Sequence, residues 1–302
     1  MWFGQTFRRW LAPVPGGVAL GELITATVRI CQRHRATGLA TEAAYFALLS
    51  LPPVLLGVFG GVGYVGDLIG EDNVARVTER IADYASRVFT PEIIDSLLRP
   101  TVDDVFSAGR SDLISVGFLL SLWSGSRMLN VLLDTIAIMY GQGGARGMVQ
   151  TRVMSLSIYF GAIASSVVLM PLLLIGPDWL AALLPEQASW LALLYWPVVS
   201  VLAVVSITTL FHIATPQRSR WRRDLPGGLL TLLLWAAVSW GMRLMIEMSL
   251  GGTSIYGPLS TPIVLLIWLY FLALSILVGA AFNAVIRSRF PIMDADRSIA
   301  AD

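Results

Sequence analysis

Two long apolar runs in the last third of the chain, 225–250 and 257–286, place the strongest constraint on the fold. Each exceeds the ~20 residues that a helix needs to cross a hydrocarbon layer of ~30 Å. Only the uncharged link 251–256 separates them, so the two helices must be antiparallel neighbours. The first run contains charged side chains and the second contains an asparagine near its end. A membrane hairpin with polar groups inside it is therefore the predicted centre of the protein.

The composition extends this prediction to the whole chain. Hydrophobic residues make up 56% of the 302 residues and charged residues only 14%, whereas a soluble domain is about 25% charged. The sequence therefore predicts an integral membrane protein. The single cysteine, Cys31, excludes an internal disulfide and a multi-cysteine metal site. We expect no cleavable signal peptide, because Pro15, Glu22 and Arg29 interrupt the first apolar stretch.

The predicted fold class is all-α, a polytopic membrane protein with six transmembrane helices. The predicted spans are 39–65, 113–140, 153–175, 190–213, 225–250 and 257–286. The polar insertion 67–112 has apolar residues at helical spacing, which predicts short amphipathic helices on the outer side of the membrane. The remaining parts are a cytoplasmic or interfacial segment, 1–38, and a cytoplasmic tail, 287–302.

The arginines predict the orientation of the chain. They cluster before the first span, in the second and fourth links and after the last span, whereas links 176–189 and 251–256 contain no basic residue. Positive charge is favoured on the cytoplasmic side, so both termini are predicted to be cytoplasmic. At that face we expect the arginines to contact anionic lipid headgroups.

Charged and polar side chains within the spans are the candidate functional residues, because an ionisable group at bilayer depth costs ~2.5–3.5 kcal/mol on insertion scales. The second span carries three of them at i, i+3 and i+7, on one helical face. The predicted polar site consists of Arg127, Asn130, Asp134, Arg243 and Glu247. The secondary candidates are Glu42 and Asn283.

Two interpretations of these residues stay open. In the structural one, Arg243 pairs with Glu247, Arg127 pairs with Asp134 or a neighbouring helix, and the asparagines hydrogen-bond between helices. In the functional one, the same groups line a polar path for a charged solute or a lipid headgroup. Arginine followed by an acid recurs in the middle helix of each three-span half, which points weakly to an inverted repeat and to transport.

Several motifs in residues 30–287 resemble the YihY/BrkB family of bacterial inner-membrane proteins. The most specific lie in the last two spans: Leu225-Pro226-Gly227-Gly228 with Trp235 and Ser239, Tyr256-Gly257-Pro258-Leu259, Trp268-Leu269-Tyr270, and Gly279-Ala280-Ala281-Phe282-Asn283-Ala284. The segments Ala44-Tyr45-Phe46 and Tyr140-Gly141 fit as well. The chain departs from the family pattern at Ala281, where Glu usually follows Gly-Ala, so no role of that carboxylate carries over.

The resemblance implies a six-span protein of the bacterial inner membrane whose biochemical activity is not settled. Members have carried the labels virulence factor and ribonuclease BN. The residues argue against a nuclease, because the chain has two histidines, His34 and His212, no His-x-His motif and no lysine. Neither a metal-ligand cluster nor a His/Lys pair can then be assembled on a phosphate. No phosphate-binding Gly-Lys-Ser/Thr loop is present either.

The predicted function is a transporter or lipid-translocating permease, with no enzymatic activity, cofactor or metal. The alternative is a non-transporting envelope-integrity or scaffold protein that binds partners through its outward insertion and cytoplasmic arginines. A lipid-modifying enzyme ranks third, because no nucleophile–base pair is apparent. The expected partners are membrane lipids rather than nucleic acid, and a homo-oligomer stays open.

Overall fold

The computed structural model describes residues 17–51, 111–183, 194–217, 220–249 and 257–289. The described helices are α1 Gly17–Arg33, α2 Ala36–Leu51, α3 Ser111–Met139, α4 Met148–Leu183, α5 Tyr195–Ala214, α6 Leu225–Ser249 and α7 Gly257–Arg289. A 3-10 turn, Trp221–Asp224, leads into α6. Within these ranges the chain forms no β-strand, which confirms the all-α prediction.

Three of the described helices are long and apolar enough to cross a membrane: Tyr195–Ala214, Trp221–Met245 and Pro262–Arg289. The count of six spans stays a prediction. Several predicted parts lie wholly or partly outside the described residues: the first span after residue 51, the insertion up to residue 110, the fourth span before residue 194, the link 251–256, the first 16 residues and the tail after 289. Helix α4 is longer than the predicted span 153–175, since it begins at Met148 and continues to Leu183.

Left-handed backbone residues set the ends of α1 and α3. Gly141 has φ 72°, and the N–H groups of Gly141 and Gln142 bond to the carbonyls of Ile138 and Ala137 at 3.0 and 2.9 Å. A glycine in this conformation closes a helix by satisfying its last carbonyls. Arg35, at φ 53°, turns the chain between α1 and α2. Both turns return the chain into the bundle.

Helix α7 lies at the centre of the bundle, where it packs against α6, α1 and α3. Helix α3 in turn packs against α4 and α5. Small side chains of α2, including Ala36, Ala40 and Ala43, are fully buried in the same core as Phe211 and Leu277. Small residues let helix backbones approach closely where there is no hydrophobic force between helices in lipid.

The arginine-rich helix ends meet at one end of the bundle, which we call the basic end and define by Tyr140, Arg146, Thr215, Asp224 and Arg287. The guanidinium of Arg146 donates hydrogen bonds of 2.8–3.2 Å to the carbonyls of residues 213–215, at the end of α5. The last carbonyls of a helix have no partner within the helix. Arg146 therefore ties the link between α3 and α4 to the end of α5.

Glycines allow α6 and α7 to meet at this end. A Cβ atom at Gly227 would overlap the Asn283 amide and the Gly279 carbonyl, and one at Gly279 would overlap the Thr231 hydroxyl. On the same helix as Gly227, a Cβ at Gly241 would meet nothing within 4 Å. The contact between α6 and α7 thus requires glycine at positions 227 and 279 but not at position 241.

We expect Gly279→Ala to destabilise the protein by about 1–3 kcal/mol, because the added methyl group forces apart two closely packed backbones. The measurement is the melting temperature of the purified protein in detergent. Gly241→Ala is the matched control and should leave the melting temperature unchanged or slightly higher, since alanine favours helix more than glycine does. Equal melting temperatures for the two variants would contradict the close contact.

Candidate functional site

The polar face of α3 meets α2 at a charged pair. The Nη2 atom of Arg127 lies 3.5 Å from Oε1 of Glu42, and the guanidinium carbon lies 5.7 Å from the centre of the Phe46 ring. The Ser124 hydroxyl donates a hydrogen bond of 2.8 Å to the Phe46 carbonyl. The two charged side chains are 43% and 39% exposed. Glu42, a secondary candidate in the sequence, is therefore the partner of Arg127 on a neighbouring helix.

The pair lies well inside the bundle along the helix axis. At 1.5 Å per residue, Arg127 is about 18 Å from the end of α3. A hydrocarbon layer is about 30 Å thick, so the span that the sequence predicts over α3 would place this pair near the middle of the layer. A half-exposed charge pair at such a depth needs water or another polar group beside it.

The other two polar residues of α3 lead from this pair towards the basic end. The Ser155 hydroxyl on α4 lies 3.5 Å from Oδ1 of Asn130, at the outer limit of a hydrogen bond. Asp134 is exposed and lines a small cleft at the basic end. The other residues that line it are Leu133, Ala137, Gln142, Gly144, Arg146, Thr151 and Pro216. From Asp134 to Arg127 the polar face of α3 rises by about 10 Å.

The remaining pair of the predicted site is on α6. Arg243 is exposed on that helix, which packs against α5 and α7. The side chain of Glu247 lies outside the described residues, so the i, i+4 pairing of these two residues stays a prediction.

Asn283 connects α7 to the beginning of α6. Its Oδ1 atom accepts a hydrogen bond of 2.7 Å from the N–H of Gly227, and its Nδ2 atom donates one of 2.9 Å to the carbonyl of Asp224. The side chain is 3% exposed. The first N–H groups of a helix lack partners within the helix, so Asn283 caps α6 from a neighbouring helix. The hydrogen bond between helices expected for this residue is present.

The residues of the sequence motifs in the last two spans form the hydrogen-bonded contact between α6 and α7. The Trp235 indole N–H donates to the Leu272 carbonyl at 3.0 Å, and that of Trp268 donates to the Ser239 hydroxyl at 3.3 Å. Thr231, which lies outside these motifs, donates within α6 to the Gly227 carbonyl at 2.8 Å and lies 3.4 Å from the Ser275 carbonyl of α7. The motifs therefore describe how this hairpin is held together.

Sequence reasoning also missed a buried group of titratable side chains at the basic end. Asp224 is 2% exposed, and its Oδ1 atom accepts a hydrogen bond of 3.2 Å from the Tyr140 hydroxyl. Its Oδ2 atom lies 3.6 Å from Nδ1 of His212. The only signal in the sequence is an acid among four arginines, directly before the Leu-Pro-Gly-Gly motif that begins α6.

Two further residues have environments that matter for experiments. Burial raises the pKa of the Cys31 thiol to about 11, so this cysteine stays protonated and reacts slowly.

Ala281, where the resemblance predicts that other members carry Glu, is fully buried in the helical core. A carboxylate there would need a buried partner.

The described residues form a helical bundle in which three helices are long and apolar enough to cross a membrane. The sequence profile of the family described as Virulence factor BrkB matches residues 27–300. The chain belongs to this family, as its motifs predicted.

The relatives are distant in sequence. The chain is 24% identical over 268 residues to the ribonuclease-like protein YfkH of Bacillus subtilis, covering 86% of this chain and 94% of the relative. It is 24% identical over 258 residues to a UPF0761 membrane protein of Stenotrophomonas maltophilia, covering 81% of this chain and 56% of the relative. No solved structure matches the chain.

These relatives place the chain in a membrane-protein family without a demonstrated catalytic activity. The word ribonuclease in the name of the Bacillus protein applies to that protein. Among the described residues of this chain, no three His, Cys, Asp or Glu side chains are grouped so that they could hold a metal ion.

We expect Asn283→Ala to cost about 1–3 kcal/mol for each of the two buried backbone groups that it leaves without a partner. The measurement is the melting temperature in detergent. Asn130→Ala is the matched control, since that residue is less buried and its one described side-chain bond is long. A smaller loss for Asn283→Ala than for Asn130→Ala would contradict the capping role.

Proposed function

We propose that the protein is a transporter or lipid-translocating permease of the bacterial cytoplasmic membrane, with both termini in the cytoplasm. The substrate is a charged solute or a lipid with a charged headgroup. Arg127, Glu42, Asn130 and Asp134 line the path, and Arg243 with Glu247 completes the polar site. No catalytic step or cofactor takes part.

The observation that carries this proposal is the half-exposed Arg127–Glu42 pair, about 18 Å from the end of α3. A sealed structural pair would bury both side chains, because unpaired hydrogen-bonding atoms of charged groups are costly in hydrocarbon. A polar path accounts for the exposure, since water or a substrate headgroup then satisfies the remaining donors of the guanidinium. Asp134, in the cleft at the basic end, marks where such a path opens.

The arginines at the basic end support the proposed orientation and the lipid partners. Exposed guanidinium groups such as those of Arg220 and Arg222 are favoured on the cytoplasmic side and attract anionic headgroups. Self-association is an additional proposal, which the exposed apolar faces of the helices would permit.

The second candidate is a non-transporting envelope-integrity or scaffold protein. It is favoured by Asn283, because both functional groups of that side chain are used to hold the fold together. If Arg127 and Glu42 were sealed in the same way within the membrane, the chain would have no polar path. Access of water to these two residues therefore distinguishes the candidates.

The test is thiol labelling in a protein with Cys31 replaced by serine. Single cysteines replace Arg127 in a Glu42→Gln background, Glu42 in an Arg127→Gln background, and Asn130 or Asp134 alone. The double changes avoid leaving one charge without its partner. A membrane-impermeant thiol reagent is applied to intact cells and to inverted vesicles, and we expect labelling at all four positions.

Two control cysteines calibrate the result. Ala145→Cys lies in the exposed link after α3 and should label from one side of the membrane, and Val201→Cys lies on an exposed face of α5 that we expect to contact lipid and should stay unlabelled. Silence at positions 42, 127 and 130 with normal labelling at 145 would overturn the transport proposal and favour the scaffold.

A further inference from the structure

The buried group around Asp224 lies beside the amide of Asn283, which interacts with Tyr140 and with the backbone carbonyl of Asp224. It brings together the end of α3, the end of α5, the beginning of α6 and the end of α7. Asp224 is reached by Tyr140 from α3 and by His212 from α5. Arg287 from α7 lies with its guanidinium carbon 5.9 Å from the centre of the Tyr140 ring.

One carboxylate oxygen and one ring nitrogen in this group face each other without a hydrogen bond. Oδ2 of Asp224 and Nδ1 of His212 are 3.6 Å apart, both are buried, and neither has a hydrogen-bond partner among the described residues. A carboxylate accepts hydrogen bonds, and a neutral imidazole nitrogen either donates or accepts. Two acceptors at this distance would repel, so one of the two groups must carry a proton.

The pair is also open to solvent on one side only. The Asp224 side chain is 3% exposed, whereas that of His212 is 21% exposed. A proton from water can therefore reach the imidazole but not the carboxylate. The charged or titratable groups that act on Asp224 are Tyr140, His212 and Arg287. The Tyr140 hydroxyl donates its hydrogen bond to the other carboxylate oxygen, Oδ1 of Asp224.

We propose that His212 and Asp224 form a proton-binding site at the basic end of the bundle. In the unloaded state, the imidazole is neutral and its one N–H lies on the nitrogen that faces the carboxylate. Uptake of a proton from hydronium forms the second N–H bond of the imidazole and releases water, which leaves an imidazolium beside a carboxylate. The loaded pair joins the end of α5 to the beginning of α6 by a charge-assisted hydrogen bond.

This site is independent of whether anything is transported, and its ligand is the proton itself. Loading it strengthens the contact between α5 and the 3-10 turn before α6. That turn carries the carbonyl to which Asn283 donates. Binding of a proton is thereby linked to the packing of α5, α6 and α7 at this end.

The test follows the imidazole nitrogens directly. The chain has two histidines, so protein labelled with ¹⁵N-histidine gives two sets of ring signals, which His34→Gln and His212→Gln assign. Spectra are recorded in detergent micelles with EDTA between pH 5 and pH 9. We expect Asp224→Asn to lower the affinity of His212 for its proton about tenfold or more, because an opposite charge within ~4–6 Å favours the charged form.

A second measurement keeps the carboxylate in place. Because the loaded pair strengthens the contact between α5 and the turn before α6, the melting temperature should rise as the pH falls, and His212→Gln should abolish that rise. Asp134→Asn, which removes an exposed carboxylate at the same end, is the matched control and should change nothing. The His34 signals should be the same in all three variants.

The proposal is overturned if His212 does not titrate in this range, or if Asp224→Asn leaves its titration as in the unmodified protein. It is also overturned if His212→Gln leaves the rise of the melting temperature at lower pH unchanged. Should Asp224→Asn fail to fold, the comparison between the unmodified protein and His212→Gln decides the question alone.

Discussion

The arrangement of the described helices depends on one buried amide. Asn283 supplies an acceptor to the N–H of Gly227 and a donor to the carbonyl of Asp224, and an amide side chain is the group that offers both at once. The N–H groups at the beginning of a helix have no partner within it, and the buried N–H of Gly227 therefore needs a partner from elsewhere in the bundle. Glycine at 227 and 279 brings the two backbones close enough for the amide to reach. The hairpin, the 3-10 turn and the group around Asp224 are all positioned by this contact.

Polar residues in this protein fall into two physically different classes. In the first, residues such as Asn283 and Thr231 are buried and have their hydrogen-bonding capacity used by neighbouring backbone. In the second, Arg127 and Glu42 are paired but half exposed. A buried and satisfied group holds a fold together, whereas an exposed charged pair requires a polar medium if the helix that carries it crosses the membrane. The second class is where a function in the membrane has to be sought.

The arginines at the basic end combine orientation with structure. Arg146 closes the end of α5, Arg289 lies 3.2 Å from Glu22 of α1, and Arg287 lies over the Tyr140 ring. A positive charge near a helix C-terminus is favoured by the helix dipole. Some of the arginines whose distribution predicts the topology are therefore also the residues that close the helix ends.

The amino-acid sequence alone determined the helical class and the family, and it placed helices where α3, α6 and α7 lie. These depend on local properties: long apolar runs, a glycine such as Gly141 at a helix end, and short motifs. It also placed Arg127, Asn130 and Asp134 on one face, since that follows from helical periodicity. The ends of α4 were less predictable, because apolar and small residues continue past the length that a membrane requires.

Only the tertiary structure decided which helix each polar residue meets. Glu42 and Arg127 are far apart in the sequence, as are Asn283 and Gly227, and helical spacing says nothing about contacts between helices. The burial of Asp224 had the weakest indication in the sequence, because a segment with a single acid beside several arginines resembles a solvated link. Its burial against His212 and Tyr140 arises because α3, α5 and α7 end at the same level around the beginning of α6. Local pattern determines the helices, and packing between distant segments determines which of their polar groups become a site.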